Sequence, residues 1–338
     1  MIRWGVVSVL VLAAACTRKS VELPDAAPEA SAPVPVVVTS PSDDAIAPRT
    51  TVRPPPGEAR RSLLAKLDAE PLLAAQIAVV SAHFGKDAKG PFALQRTELA
   101  GGRSALLVAQ QDGTDPMLLV FDGDTLLWSR EHPVAGIVPP VEHVALAAHE
   151  AGGTALAAWD PATKLVVGRV AADDGNPFGD FQVMNLDACD DVTAGYWPGR
   201  GILFVASTKA GPRMQLMRED NTFAFAREGI AVGTGWRAAG PVTMAFDSPT
   251  SVMLVQHASG TKPKTDAVKV FRYSAGGKML WDAAVEVEVP TVPKTTEHLV
   301  AAVVRDGVVR IELPRGAVAS QAKAVDVDST GAVVRLAK

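Results

Sequence analysis

The body of this chain repeats one local pattern, in which a short strand, a polar turn and a second short strand follow one another. Segments rich in Val, Leu and Ala alternate there with Gly, Asp and Pro turns, which is typical of all-β folds. The five hairpins occupy residues 117–128, 155–167, 214–225, 268–281 and 324–336. A further apolar run precedes each hairpin, at residues 105–109, 144–148, 202–206, 252–255 and 299–304.

The spacing of this pattern favours a β-propeller. The apolar runs recur about every 40–60 residues, which is close to the length of one four-stranded propeller blade. One small sheet cannot bury both of its faces, so several such units must pack side by side around a ring. We therefore expect an all-β fold with a propeller of about six blades (roughly five to seven) over residues 84–338. The alternative is a sandwich whose ordinary hairpins are similar by chance.

Two of the hairpins resemble a known repeat. The turn at 160–164, Asp-Pro-Ala-Thr-Lys, and the segment at 277–281, Gly-Lys-Met-Leu-Trp, are similar to quinoprotein-like and WD40-like β-propeller repeats. In the quinoprotein-like repeat an Asp-x-x-Thr-Gly-Lys turn precedes an apolar pair and a tryptophan. Trp128 fits this pattern, whereas Val167 and Phe225 stand where a tryptophan is expected. Such repeats occur in bacterial lipoproteins that assist outer-membrane assembly and in quinone-dependent dehydrogenases.

The dehydrogenase activity is not expected for this chain. Quinone-dependent dehydrogenases with this repeat use an adjacent pair of cysteines over the cofactor, and here the two cysteines, Cys16 and Cys189, are far apart. Asp187, Asp190 and Asp191 lie close to Cys189 in sequence, and neighbouring carboxylates disfavour a reactive thiolate. We expect Cys189 to be a half-buried structural residue, and we expect no catalytic residue and no cofactor.

The N-terminus has the layout of a secretory signal. Arg3 precedes an apolar run at 6–15, which is too short to span a bilayer and ends in small residues before Cys16. This layout resembles the lipobox of bacterial lipoproteins, although that family prefers Leu where Ala13 stands, and Leu12 lies one position earlier. The resemblance implies that Cys16 is acylated, with palmitate-type chains that bind membrane lipid. The alternative is an ordinary secretory signal peptide with a chance cysteine.

Two segments of different composition follow the predicted signal peptide of residues 1–15. Residues 16–58 contain nine prolines and no aromatic residue, which predicts a disordered tether behind the lipidated cysteine. A helical segment is predicted at 59–83, with three leucines on one face, and a partner-binding helix is the alternative there. Thr17 and Arg18 lack the acidic residue that commonly signals inner-membrane retention, so the outer membrane is the expected location.

Charge and short motifs limit the binding chemistry. The chain has 33 basic and 37 acidic residues, so its charge gives no reason to expect nucleic acid as a partner. His143, His149 and Glu150 do not have a zinc spacing, and no metal site is predicted from them. Weak calcium candidates are the oxygen-bearing side chains of Asp173, Asp174, Asn176 and Asp180. Candidate contacts for a protein partner are the aromatic residues Phe178, Tyr196 and Trp197.

These observations lead to one expected function and one alternative. The expected function is that of a membrane-tethered lipoprotein of the cell envelope, which acts as a non-enzymatic binding or scaffold protein through its propeller loops. The alternative is a propeller enzyme, a hydrolase or a lyase, whose acidic residues meet at the central mouth. Sequence spacing leaves both open, because propeller sites combine residues from distant blades.

Overall fold

The structure is a computed structural model. It describes residues 74–84, 93–109, 115–134, 143–149, 153–160, 164–171, 174–233, 241–259, 265–290, 300–305, 307–312 and 324–337. The predicted signal peptide, Cys16, the tether and the first part of the predicted helical segment lie outside these ranges. Within these ranges, no helix combines the length and the apolar character needed to cross a bilayer.

The strands form five four-stranded antiparallel sheets within the described residues, and each sheet consists of four consecutive strands. Sheet 1 contains β1 (Ala93–Glu98), β2 (Arg103–Val108), β3 (Met117–Asp122) and β4 (Thr125–Glu131). Sheet 2 contains β5 (His143–Ala148), β6 (Thr154–Asp160), β7 (Lys164–Val170) and β8 (Gln182–Met184). Sheet 3 contains β9 (Asp191–Trp197), β10 (Gly201–Ser207), β11 (Arg213–Met217) and β12 (Ile230–Ala231).

The last two sheets continue the series. Sheet 4 contains β13 (Thr243–Ser248), β14 (Ser251–Ser259), β15 (Thr265–Ser274) and β16 (Val285–Pro290). Sheet 5 contains β17 (Val300–Arg305), β18 (Val308–Glu312), β19 (Ala324–Val327) and β20 (Val333–Ala337). The second strands of the five sheets start about 50 residues apart, which is the length expected of a propeller blade.

Consecutive sheets pack against one another through their first strands, so that β1 contacts β5, β5 contacts β9, β9 contacts β13 and β13 contacts β17. A separate apolar cluster fills each junction between consecutive sheets. The fold is therefore the mostly β, propeller-like repeat that the sequence predicts. Five small sheets in series are not the two facing layers of a sandwich.

One helix, α1 (Ala74–Phe84), lies within the predicted helical segment and just beyond its end. Its residues Val79, Val80 and Phe84 pack on a cluster that includes Leu106 and Leu119 of sheet 1. Side chains alternate along a strand, so this cluster lies on the face of sheet 1 opposite to sheet 2. The helix therefore covers the face that a preceding sheet covers elsewhere in the series.

The turn between the third and fourth strands recurs in sheets 3, 4 and 5. In each case the amide of the first turn residue donates to the carbonyl of the residue four positions later. The fourth residue of each turn has a left-handed backbone, with φ of 65° at Asn221, 80° at Gly277 and 90° at Gly331. Glycine and asparagine adopt this conformation at the lowest cost, which explains these residue types at the position.

A β-bulge follows this turn in sheets 1 and 5, and we call its extra residue the bulge position. In sheets 2, 3 and 4 the residue at the equivalent position donates its amide to a third-strand carbonyl. A bulge re-aims a side chain away from the regular alternation of the strand. The residues at the bulge position are Leu127, Phe178, Ala224, Leu280 and Val334. All except Ala224 are exposed apolar side chains.

The residue after the bulge packs on the left-handed turn residue of the next sheet. At three junctions an aromatic ring lies against a glycine, and a Cβ on that glycine would crowd the ring. The distances from this added Cβ would be 2.5 Å to Trp128 at Gly175, 3.0 Å to Phe225 at Gly277 and 3.3 Å to Trp281 at Gly331. Trp128 and Trp281 thus lie between adjacent sheets and pack on the junction clusters, as the repeat predicts.

The junction of sheets 2 and 3 uses a different pair. Gly179 stands where sheets 1, 3 and 4 have an aromatic residue, and Asn221 stands where the facing turns of those junctions have glycine. The Asn221 Nδ2 donates to the Asp180 carbonyl over 2.5 Å, so a hydrogen bond replaces the ring contact.

The predicted alignment was wrong for the second hairpin. Residues 155–167 form β6 and β7, which are the second and third strands of sheet 2 rather than its third and fourth strands. The 160–164 turn is therefore not equivalent to the turn before Trp281. The true equivalent in sheet 2 runs from Ala171 to Asn176, which is one residue longer than in sheets 3 to 5. This extra residue, together with Gly179 in place of the aromatic residue, hides the repeat in the sequence.

Candidate functional site

Two of the residues named as calcium candidates, Asp174 and Asn176, form a hydrogen-bonded turn, whereas the Asp180 carbonyl accepts from Asn221. The Asp174 carboxylate accepts from the Asn176 amide at 2.9 Å and from Asn176 Nδ2 at 2.5 Å, and these bonds lower the pKa of Asp174. Asn176 Oδ1 accepts from Arg130 of sheet 1 at 2.9 Å, so the turn joins two sheets. Asp173 lies outside the described residues. In the described part of the chain, no group of three or more His, Cys, Asp or Glu side chains is placed to hold a metal ion.

The three aromatic candidates for partner contact have different environments. Phe178 is 54% exposed and its ring lies 4.4 Å from the Arg169 guanidinium. Tyr196 is half-buried and makes an edge contact with His149, with 4.9 Å between ring centroids. Trp197, in contrast, is 1% exposed and its Nε1 donates to the Ser248 carbonyl at 3.1 Å.

The assignment of Trp197 as a surface contact was therefore wrong. Trp197 is the last residue of β9, and its side chain belongs to the apolar cluster between sheets 3 and 4. The turn after β9 begins one residue later, at Pro198. Strand alternation turns Tyr196 and Trp197 toward opposite faces of the same sheet, and this is why only one of them is deeply buried.

Cys189 is buried, and its thiol donates to the Asp191 carbonyl over 3.2 Å. It belongs to the apolar cluster between sheets 2 and 3, so the structure places it in the core.

A polar cluster joins sheets 2 and 3 around Arg169 of β7. The Arg169 Nη2 donates to the carbonyl of Glu219, in the turn between β11 and β12. Its Nη1 lies 3.0 Å from Glu219 Oε2 and 2.8 Å from His149 Nε2. Arg169 is 6% exposed, whereas the Glu219 side chain is 47% exposed. The guanidinium therefore bridges two sheets, with its charge balanced by a carboxylate at the surface.

Arg272 of β15 makes the same connection between sheets 4 and 5. Its Nη1 donates to the Ser329 carbonyl at 2.8 Å, in the turn between β19 and β20. Its charge is balanced within sheet 4 by Asp247, which accepts from Nη2 at 2.7 Å and whose side chain is 1% exposed. Ser251 accepts a further bond at 2.9 Å. We call Arg169 and Arg272 the cross-sheet arginines.

The two arginines occupy one position of the repeat. The carbonyls of Arg169 and Arg272 accept from the amides of the bulge residues Phe178 and Leu280. In sheet 3 the equivalent carbonyl is that of Leu216, which accepts from Ala224. Sheet 3 therefore has leucine where sheets 2 and 4 have the cross-sheet arginine. It also has alanine where they have a large bulge side chain.

An open groove of 630 Å³ lies at the junction of sheets 3 and 4, where the arginine is missing. Its floor contains Leu216, Ala224 and Phe225. Its rim consists of three turns, at 199–200 between β9 and β10, at 218–220 between β11 and β12, and at 275–276 between β15 and β16. The turns after the first and third strands lie at the same end of each antiparallel sheet, so we call this end the turn face.

The rim of the groove carries both signs of charge. Arg200 donates from Nε to the Pro249 carbonyl at 3.0 Å, and Arg218 donates to the Phe223 carbonyl at 2.8 Å. Asp220 accepts from the Thr222 hydroxyl at 2.6 Å, and this bond lowers the pKa of Asp220, which therefore stays ionised at neutral pH. Glu219 connects the groove to the Arg169 cluster on its other side. The arrangement suits a polar ligand with an apolar part rather than a purely ionic one.

Sequence reasoning missed the groove and the cross-sheet arginines. Both depend on the correct alignment of sheets 2, 3 and 4. From the sequence we aligned the 160–164 turn with the turn before Trp281, and this alignment was wrong. A signal was present: Arg169, Leu216 and Arg272 each precede a third-to-fourth-strand turn, but the turns differ in length.

Comparisons with known proteins do not assign a family. No protein-family model matches the chain, and no curated protein matches it. Among solved structures, an uncharacterized protein from Listeria monocytogenes is 7% identical with a TM-score of 0.39, and the match covers 70% of this chain and 66% of that one. The WD40 domain of coronin from Toxoplasma gondii is 10% identical with a TM-score of 0.38 and coverages of 72% and 55%.

An endo-arabinase from Bacteroides thetaiotaomicron is 9% identical, with a TM-score of 0.32 and coverages of 70% and 92%. The match thus spans less than two thirds of the Listeria and Toxoplasma chains. All three TM-scores are below 0.5, so the description of the fold rests on the five sheets of this chain.

Proposed function

We propose that this protein is a lipid-anchored protein of the cell envelope that binds a partner polypeptide through the turn face of its propeller-like body. Acylation of Cys16 provides the anchor, and the outer membrane is the proposed location. A closed ring of about six blades is part of this proposal. The body acts as a binding or scaffold module and carries out no chemistry of its own.

The observation that carries this proposal is the groove at the junction of sheets 3 and 4. It opens on the turn face, its rim offers guanidinium and carboxylate groups, and its floor offers Phe225 and two aliphatic residues. A polypeptide presents the same mixture of backbone polar groups, charges and apolar side chains. The exposed Phe178 lies near the same face and adds an aromatic contact beside the groove.

Site-specific cross-linking tests the binding role. A photoreactive residue at Gly276 lies on the groove rim, where an added Cβ would meet only Ser274 Oγ, at 3.8 Å. We expect one envelope polypeptide to be cross-linked from Gly276 and not from Leu127, which is also exposed but lies in sheet 1. The purified partner should then bind the wild-type protein and not the groove-filling variant Ala224→Leu. Equal cross-linking from both positions would contradict the proposed face.

Fractionation of Cys16→Ala tests the anchor. We expect the variant to lose its fatty-acid label and to leave the membrane fraction, because the thiol is the acylated atom. A variant that keeps the label would rule out lipidation at Cys16, while the binding role of the groove would be unaffected.

A further inference from the structure

We propose that the groove takes an arginine side chain of the partner, which occupies the place of the cross-sheet arginine that sheet 3 lacks. This inference rests on the proposed binding function and specifies its ligand chemistry. The internal repeat supplies the argument, because two other junctions of the same chain show how such a guanidinium is held.

The first step compares the residues at the repeat position of the cross-sheet arginines. Arg169 crosses from sheet 2 to the Glu219 carbonyl, and Arg272 crosses from sheet 4 to the Ser329 carbonyl. Both carbonyls belong to the second residue of the turn between the third and fourth strands. At the junction of sheets 3 and 4 the arginine position is Leu216, and the equivalent second turn residue is Ala275.

The second step concerns the acceptor that remains. Ala275 lines the groove, and within the described residues its carbonyl accepts no hydrogen bond. The repeat places this carbonyl where the Glu219 and Ser329 carbonyls receive their guanidinium. A bond from a charged donor to such a carbonyl is stronger than one between neutral groups.

The third step concerns the surroundings of the guanidinium. Arg169 lies over the ring of Phe178, and the groove offers the ring of Phe225 to a planar cation. The Glu219 side chain is shared between the Arg169 cluster and the groove rim, and Asp220 is ionised beside it. A carboxylate and a backbone carbonyl hold both cross-sheet arginines, and an aromatic ring adds to the site of Arg169. A guanidinium matches such partners better than an ammonium.

The fourth step explains why the groove is not a general cation site. Arg200 and Arg218 share the rim with Glu219 and Asp220, and Glu219 is already paired with Arg169, so the rim charges give no strong attraction for a cation at long range. Selection therefore depends on directed hydrogen bonds and on the vacant volume rather than on attraction at long range. The two rim arginines fit the carboxylate groups or backbone carbonyls that flank an arginine in a peptide.

The experiment measures binding of two capped tripeptides to the full chain by saturation-transfer NMR. The probes are acetyl-Gly-Arg-Gly-amide and acetyl-Gly-Gln-Gly-amide, which differ in the guanidinium. We expect the arginyl peptide to bind about tenfold more tightly, since a hydrogen bond to a charged donor is worth about that factor. Equal affinities for the two peptides would overturn the assignment of a guanidinium site.

The decisive variant is Leu216→Arg, which restores the repeat by supplying the arginine from within the chain. We expect it to fold, with a circular dichroism spectrum like that of the wild type, and to bind the arginyl peptide at least about tenfold more weakly. Ala224→Leu fills the groove without adding charge and should weaken binding in the same way. The matched control is Leu280→Ala, which changes the bulge position of sheet 4 and should leave binding unchanged.

The outcomes separate this inference from the proposed function. Unchanged arginine binding in both Leu216→Arg and Ala224→Leu would overturn the groove as the site, and so would a lack of arginine binding by the wild type. In either case a partner cross-linked from Gly276 would still support the binding role. If Leu216→Arg is unfolded, Ala224→Leu decides the result alone.

Discussion

At the scale of single residues, left-handed turn residues set how closely adjacent sheets approach. Trp128 packs directly on Gly175, which has a φ of 67°. A side chain at this position would cost stability in two ways, through strain of the left-handed backbone and through steric overlap with the Trp128 ring. At a glycine with the same backbone conformation but open surroundings, only the backbone strain applies.

Gly175→Ala should therefore destabilise the protein more than Gly123→Ala. Gly123 has a φ of 54° and nothing within 4 Å of an added Cβ, whereas at Gly175 the Trp128 ring would be 2.5 Å away. We expect a loss of about 1–2 kcal/mol for Gly123→Ala and of about 1–3 kcal/mol more for Gly175→Ala. Urea unfolding measures both, and equal losses would show that the ring moves freely.

The lowered pKa values of carboxylates in the turns determine how the stability of the protein depends on pH. The Thr330 hydroxyl, followed by the Ala332 amide, donates to Asp328 and holds the pKa of its carboxyl below the ordinary value of 3.8. Because the pKa is lower in the folded state, the stabilisation is complete above the ordinary value and is lost as the pH falls through the folded value.

We expect the free energy of unfolding to decrease as the pH is lowered below about 4. Asp328→Asn should show a smaller decrease, since an amide does not take up the proton. Asp220 and Asp174 have pKa values lowered by similar bonds, so part of the dependence should remain. Urea unfolding at several pH values checks this, and an unchanged decrease in the variant would count against it.

At the scale of structural elements, aromatic residues after the bulge and the cross-sheet arginines connect each sheet to the next. Trp128 and Trp281 pack on the clusters of the first and last junctions, and the Trp281 Nε1 donates to the Ser329 carbonyl at 3.1 Å. Trp197 fills the cluster between sheets 3 and 4. Each indole therefore contributes to the packing of two sheets.

Replacement of these tryptophans should be costly at all three sites. We expect Trp128→Ala and Trp281→Ala to lose comparable stability, of about 3–5 kcal/mol, and Trp197→Ala to lose at least as much because it is fully buried. Thermal melts of the three variants measure this. A tolerant Trp197→Ala would mean that its cluster does not stabilise the junction.

Arg272→Ala should destabilise sheets 4 and 5 because it leaves a buried carboxylate without its partner. The Asp247 side chain is 1% exposed and pairs with Arg272 at 2.7 Å, so we expect a loss of about 3–5 kcal/mol. The matched control is Lys269→Ala, in the same strand, whose partner Glu286 is 54% exposed at 3.4 Å. We expect about 1 kcal/mol or less there. Similar losses in chemical unfolding would contradict a structural role for Arg272.

At the scale of the whole molecule, the sheets interact with their neighbours in the series, and each junction has its own apolar cluster. The clusters that hold Trp128 and Trp281 share no residue. Energetic effects at these two junctions should therefore be independent if the protein unfolds in one step.

The double variant Trp128→Ala/Trp281→Ala tests this independence. We expect its loss of stability to equal the sum of the two single losses within about 0.5 kcal/mol. Equilibrium urea unfolding of the four proteins completes the cycle. A larger coupling energy would show that the packing of the first junction and that of the last junction are energetically coupled through the sheets between them.

Local signals in the sequence predicted the class of fold and much of its repeat. Alternating apolar residues, turn residues and the positions of Trp128 and Trp281 are local signals. Each can be recognised from neighbouring residues, without knowledge of the rest of the chain. The bulge and the left-handed residues Gly277 and Gly331 are equally local, because they depend on a few neighbouring backbone groups.

Three features became clear from the packing of the sheets: the position of each hairpin in its sheet, the burial of Trp197 and the groove beside Leu216. These features depend on residues about 50 positions apart that meet across a junction. The groove lies where sheet 3 has leucine at a position that sheets 2 and 4 fill with arginine, and this difference has meaning only after the sheets are aligned in space. Strand pairing and sheet packing determine that alignment, and no local stretch of sequence contains it.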